Sequence, residues 1–176
     1  VEYLSIRHGG AEIGEGNEIN GLTLGGVGSG TKINHVEVVA NVDDGIEFFG
    51  GTVNATNLLV WGQGDDAIDI DQAYSGTIDG AMVILTDASD HGFEIDGPEG
   101  SAAGSFTLKN VTVIGATKAC SALGVNGEMA DFRKAATGSL SNILFKDFSA
   151  GKDVELDASA DAASYTAGTL TFANID

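Results

Sequence analysis

The chain has 176 residues, 43% of them hydrophobic, with 26 glycines, one proline and one cysteine, enough for one domain with a core and too short for two ordinary ones. Lys and Arg number 8 against 26 Asp and Glu, a net charge of −18, which repels nucleic acid phosphates and anionic membrane surfaces and favours cations. Cys120 has no partner for an internal disulfide, and no apolar run approaches the roughly 18–20 residues of a membrane span, so neither nucleic-acid binding nor membrane insertion is expected.

The first residues, VEYLSIRHGG, enter a strand pattern at once, with neither Met nor a basic-then-apolar leader, and read as a piece of a longer chain. NGLTL from Asn20 alternates apolar and polar residues, and INHVEVV from Ile33 opens the first long strand. An acidic phrase, NVDDGIEFFGG from Asn41, follows, and then a second long strand, ATNLLVW from Ala55. The same order returns as GDDAIDIDQ from Gly64 with IDGAMVI from Ile78, and as SDHGFEIDG from Ser89 with LKNVTVI from Leu108. SALGV from Ser121, LSNILFK from Leu140 and DVEL from Asp153 complete the series. Asp43 to Asp65 is 22 residues, Asp65 to Asp90 is 25, and the step to Cys120 is 30.

Two short strands per 22–30 residues, separated by glycine-rich bends, are the signature of a parallel β-helix. The expected fold is all-β, a right-handed parallel β-helix of about seven rungs over residues 1–176, its equivalent strands stacked about 4.8 Å apart. An antiparallel sandwich would explain the strands but not the repeated order of phrase and spacing. Period-two alternation sends Leu22, Ile46, Ile68, Phe93, Leu123 and Val154 inward, with Leu24, Phe48, Ile70, Ile95, Val125 and Leu156 beneath them.

The outward residues carry the candidate chemistry. Thr23, Glu47, Asp69, Glu94, Gly124 and Glu155 fall in one column, so that Glu47, Asp69 and Glu94 form a vertical stack of carboxylates. Like charges opposed in a sheet are destabilising, and a cation would relieve them. Asp71 and Asp96 extend that face at the strand ends, and Asp43, Asp65 and Asp90 stack at its start. Glu47, Asp69, Glu94, Asp71, Asp96, Asp43 and Asp90 are therefore the candidate metal ligands, with Ca2+ the expected cation, since it takes several hard oxygen donors in loose geometry. For Asp43, Asp65 and Asp90 a turn role, with the side chain bonding nearby amides, competes with this. On the other sheet Leu59, Trp61, Met82 and Ile84 form an apolar patch, expected either to lie under residues 97–104 or 127–138 or to meet a partner. Trp61, Phe49 and Tyr74 are the aromatic candidates for ligand contact.

These residues resemble the right-handed parallel β-helix, or pectate-lyase-like, superfamily over essentially the whole chain. The opening IRHGGAEIGEGNEINGLTLGGVGSGT, with DDGIEFFGG and GDDAIDIDQ, is similar to bacterial extracellular or outer-membrane-anchored β-helix proteins, a resemblance that implies secretion and surface display. The order VDDG, GDD and DHG resembles polygalacturonase-type glycoside hydrolases. That resemblance implies Asp66 as general acid, Asp44 and Asp65 holding the water, and His91 in support, with inversion at carboxylates roughly 6.5–9.5 Å apart. It departs at Asp90, where that family has glycine, and at the missing Arg-x-Lys pair, for which Arg133 and Lys134 are the nearest substitutes; this register puts Arg7 and Arg133 far from the acidic rungs. Without a basic clamp, turnover is not favoured. The expected function is an extracellular surface-binding or adhesion-type module that binds calcium, with carbohydrate as ligand and a polysaccharide or another cell-surface protein as partner. An inverting polygalacturonase-like hydrolase and a structural spacer of a larger surface protein are the alternatives.

Overall fold

The computed structural model describes residues 1–11, 13–14, 19–115, 128–148 and 152–176. In chain order they form β1 (Glu2–Arg7), β2 (Leu22–Gly25), β3 (Lys32–Val39), β4 (Ile46–Phe49), β5 (Asn54–Trp61), β6 (Ile68–Asp71) and β7 (Thr77–Ile84). There follow β8 (Phe93–Asp96), β9 (Phe106–Ile114), β10 (Ala130–Arg133), β11 (Gly138–Lys146), β12 (Val154–Leu156), α1 (Ser159–Ala167) and β13 (Leu170–Ile175). Odd-numbered strands make a seven-stranded sheet and even-numbered strands a six-stranded one. Each strand pairs in parallel with the equivalent strands one rung before and after it, as in β3 with β5 and β4 with β6. The chain is thus a parallel β-helix of seven rungs, with the right-handed crossovers that parallel strands adopt.

Alternation explains the core. Ile46, Ile68, Phe93 and Ala130 align in one column and Phe48, Ile70, Ile95 and Phe132 in the next, all at 1% exposure or less. Burying each large side chain contributes about 1.5–3 kcal/mol. The long strands supply Val36, Leu58, Val111 and Ile143 from the other side. Midway each long strand turns a corner through one left-handed residue: Tyr3, His35, Asn57, Gly80, Asn110, Asn142 and Asn174, with φ between 51° and 83°. Asn and Gly take this conformation at least cost, and their amides tie rungs together, Asn142 Nδ2 donating to Asn110 Oδ1 at 3.0 Å and Asn174 Nδ2 to Asn142 Oδ1 at 2.9 Å. The corner side chains at Asn57, Asn110 and Asn142 are exposed.

Three expectations need correction. The sequence alternation puts the rung after β8 on residues 121–125, which lie outside the described residues; β10 occupies it, Ala130 opposite Phe93 and Phe132 opposite Ile95. ADFR carries the same in–out alternation, and the connection from β9 is long enough to reach it. Residues 97–104 do not cover the apolar patch, since they lie at the opposite corner, where positions 97 and 104 pack on the backbones of Lys134 and Ala73. Nor do residues 128–138, which build β10 and the turn after it; Trp61 stays 49% and Met82 44% exposed. Finally, α1 was not anticipated. Asp161 Oδ2 accepts from Ala158 N at 3.1 Å to start the helix, and Gly168, left-handed at φ 73°, ends it.

Candidate functional site

The even-numbered sheet and the corner leading into it hold two acidic columns with different surroundings. At the corner, Asp44 Oδ1 accepts the backbone N–H of Asp66 on the next rung at 3.0 Å. Asp66 Oδ1 in turn accepts the N–H of His91 at 2.8 Å and its ring Nδ1–H at 2.7 Å. Asp44, Asp66 and His91 are 7%, 4% and 9% exposed. These carboxylates satisfy amides that the sheet ladder does not reach. Asp44 and Asp66 thus tie successive rungs together through their side chains. Burial first, then the charge of Asp66, pushes the Asp44 carboxyl up to about 9. For His91 burial acts downward, but the hydrogen bond and charge of Asp66, with Asp90 and Glu94, outweigh it and carry the ring to about 9.

Within the strands, Thr23, Glu47, Asp69, Glu94, Asp131 and Glu155 stand in one column, paired rung by rung. The column is as expected from Glu47 to Glu94, with Asp131 in place of residue 124. Asn20 Nδ2 donates to Glu47 Oε2, whereas Asp69 Oδ1 is inaccessible and has no hydrogen-bond partner among the described residues. Burial, joined by the charges of Asp44, Glu94 and Glu47, drives the Asp69 carboxyl far above its ordinary range. Glu47 and Glu94 are likewise pushed up, chiefly by burial, and burial lifts Asp131 to about 6.

At the far end the column acquires a cation. Arg133, on β10, donates from Nε to Asp96 Oδ1 at 2.7 Å and from its terminal nitrogen to Asp96 Oδ2 at 3.2 Å and to Glu94. Lys134 Nζ lies 2.7 Å from Asp96 Oδ2 and 2.8 Å from Glu99 Oε1. The expectation that Arg133 lies far from the acidic rungs is therefore wrong, and the cause is the displaced β10. Arg133 and Lys134 were recognised only as substitutes for a missing pair; the alternation of residues 130–133 was the signal that could have placed them.

Among the described residues, carboxylate or imidazole atoms converge within 4.8 Å in four sets: Asp44, Glu47 and Asp69; Asp66, His91 and Glu94; Asp43, Asp44 and Asp65; Asp65, Asp66 and Asp90. The sets cut across the expected division, joining Asp44, assigned to catalysis, with Glu47 and Asp69, assigned to metal. Asp71 and Asp96 belong to none of them. Asp71 Oδ1 accepts from Gln72 N at 2.7 Å, and Asp96 is held by Arg133 and Lys134. The set of Asp44, Glu47 and Asp69 offers only oxygen atoms, the hard donor type that divalent cations of the Ca2+ and Mg2+ kind take.

The aromatic candidates do not gather. Trp61 is exposed on the odd-numbered sheet, Phe49 is half-buried at the end of β4, and Tyr74 is 2% exposed. Tyr74 packs on Phe48 with ring centroids 4.8 Å apart and donates its hydroxyl to Val53 O at 2.7 Å. Its ring fills the interior and is closed to a surface ligand.

A pectate-lyase-like β-helix domain family matches residues 1–176. No curated protein and no solved structure matches the chain.

Proposed function

Because the chain belongs to the family of pectate-lyase-like β-helix domains, we propose that this scaffold serves as an extracellular, bacterial surface-binding or adhesion-type module whose acidic face binds calcium and whose ligand is carbohydrate. The observation that carries the reading is the convergence of Asp44, Glu47 and Asp69 within 4.8 Å, with Asp69 Oδ1 left without a donor among the described residues. A bound divalent ion would relieve the repulsion between rungs. Surface display rests on the scaffold and on the resemblance of the opening rungs. Calorimetric titration with calcium, after dialysis against chelator, tests the site. Saturable binding abolished in Glu47→Gln/Asp69→Asn supports it, and no heat in the unsubstituted chain rejects it.

One observation favours the hydrolase as a second reading: Arg133 and Lys134 stand on the rung after His91, so cationic groups do border the acidic face. Both are already engaged by Glu94, Asp96 and Glu99, which leaves an anionic sugar little to bind, and the binding module remains preferred. Release of reducing ends from polygalacturonate, lost in Asp66→Asn, would reverse that preference.

A further inference from the structure

The corner column departs from its own rule at one end. Five of its seven positions hold Asn or Gly, the residues that accept a left-handed backbone most readily; the other two hold Tyr3 at φ 54° and His35 at φ 51°. Their rings stack with centroids 4.8 Å apart and planes 21° from parallel, yet Tyr3 remains 78% exposed. Aromatic rings at positions where Asn would fold more easily, and that solvent still reaches, are not explained by the core. They open onto a groove of about 340 Å³. Tyr3, His35 and Asn57 line its corner side, and Ser5, Glu37 and Leu59 its strand side.

We propose that this groove is a subsite for a neutral sugar ring, an inference that rests on the carbohydrate part of the reading above and places that contact away from the acidic face. A pyranose has a flat C–H face and a rim of hydroxyls. Tyr3 and Leu59 offer apolar surface to the face. Glu37 offers a carboxylate acceptor, kept ionised by hydrogen bonds from Ser5 and Arg7, which hold its carboxyl below the usual range. Asn57 sits between, its Nδ2 committed to Asn34 Oδ1 at 2.9 Å and its own oxygen directed along the column toward Gly80, 3.7 Å from where a Cβ there would stand. Charge selects the ligand class: Arg7 balances Glu37, so the groove is locally neutral on a chain of −18. An anionic sugar would meet the Glu37 carboxylate and the field of the whole protein.

The test uses residues 1–176 with cello-, manno- and xylo-oligosaccharides as neutral probes and an oligogalacturonide as the anionic one, followed by calorimetry and by the His35 ring resonances. Tyr3→Asn/His35→Asn restores the residue found at Asn57, Asn110, Asn142 and Asn174, so the fold survives the substitution. The expected result is binding of a neutral probe, with calcium or chelator alike, that shifts the His35 ring signals and weakens about tenfold or more in the double variant, the scale of a lost stacking platform. Undiminished binding in the double variant overturns the subsite while leaving carbohydrate binding intact, and so does binding of the oligogalacturonide alone. Failure of all four probes overturns both.

Discussion

Two columns of acids run side by side along this β-helix, and the contrast between them separates fold from function. At the corner, Asp44 and Asp66 each accept a backbone N–H from the following rung, at 3.0 and 2.8 Å, and Asp66 also holds the His91 ring. In the strands, Glu47, Asp69 and Glu94 point outward one above another, and Asp69 Oδ1 has no donor among the described residues. The same residue type is therefore a structural tie in one column and a source of repulsion in the other.

The sharpest way to break this comparison is to remove one member of each. Asp66→Ala deletes the acceptor for two N–H groups of His91 and is expected to cost about 2–4 kcal/mol, the range for a buried charged hydrogen bond and its stranded partner. Urea unfolding in chelator measures it. A loss below about 0.5 kcal/mol, the scatter of ordinary surface substitutions, would place Asp66 with the strand column instead.

Arg133→Ala comes next in size. Asp96, with a side chain 4% exposed, would keep only Lys134, and Glu94 would lose its counter-ion. Removing one partner of a buried pair costs roughly 3–5 kcal/mol; with 34% of the Arg133 side chain in water, about 2 kcal/mol is expected after screening. Unfolding of the variant at low and high salt checks this. A neutral result would mean that the strand column needs no cation at its end.

The pH dependence sharpens the contrast further. Asp44 rises from 3.8 to about 9 and His91 from 6.5 to about 9, so both bind more protons folded than unfolded. Stability then falls as pH rises: for Asp44 from about pH 4 upward, for His91 from 6.5, with both contributions gone above about 9. The melting temperature in chelator is expected to drop steadily between pH 6.5 and 9. A flat or rising profile would show that the corner groups are not held protonated.

Asp69→Asn should have the smallest effect and the opposite sign. Relieving like charges one rung apart is worth roughly 0.2–1 kcal/mol, so in chelator this variant should be as stable as the parent or slightly more so. Destabilisation by more than about 1 kcal/mol, the upper end of that range, would mean that Asp69 has a structural tie like that of Asp66.

Much of this was legible in the sequence, because a β-helix writes its core as period-two alternation and its rungs as a repeated order. The column from Glu47 through Asp69 to Glu94 follows from spacing alone, and so does the apolar face of Leu59, Trp61, Met82 and Ile84. The rung built on β10 was hidden because Ala130 is a weak apolar signal and residues 121–125 offer a better-looking alternation nearer the expected spacing. Arg133 was lost with it. The role of Asp44 and Asp66 could not be read because each phrase contains two adjacent acids, and only the backbone geometry decides which one faces the next rung's amide. Tyr74 is no ligand contact because its hydroxyl donates to Val53 O inside, a partner that spacing alone does not reveal.

The most direct test of the central claim is the melting temperature with calcium and with chelator, for the parent chain, for Glu47→Gln/Asp69→Asn and for Asp66→Asn. At about a hundredfold excess over its dissociation constant a ligand of the folded state adds about 2.7 kcal/mol, which for a domain of this size is about 5–10 °C. That shift is expected in the parent, is expected to be absent in Glu47→Gln/Asp69→Asn, and is expected to survive in Asp66→Asn from a lower starting temperature. An identical melting temperature with calcium and with chelator in the parent chain would contradict the calcium site and leave the acidic face as the solubilising surface of a structural spacer.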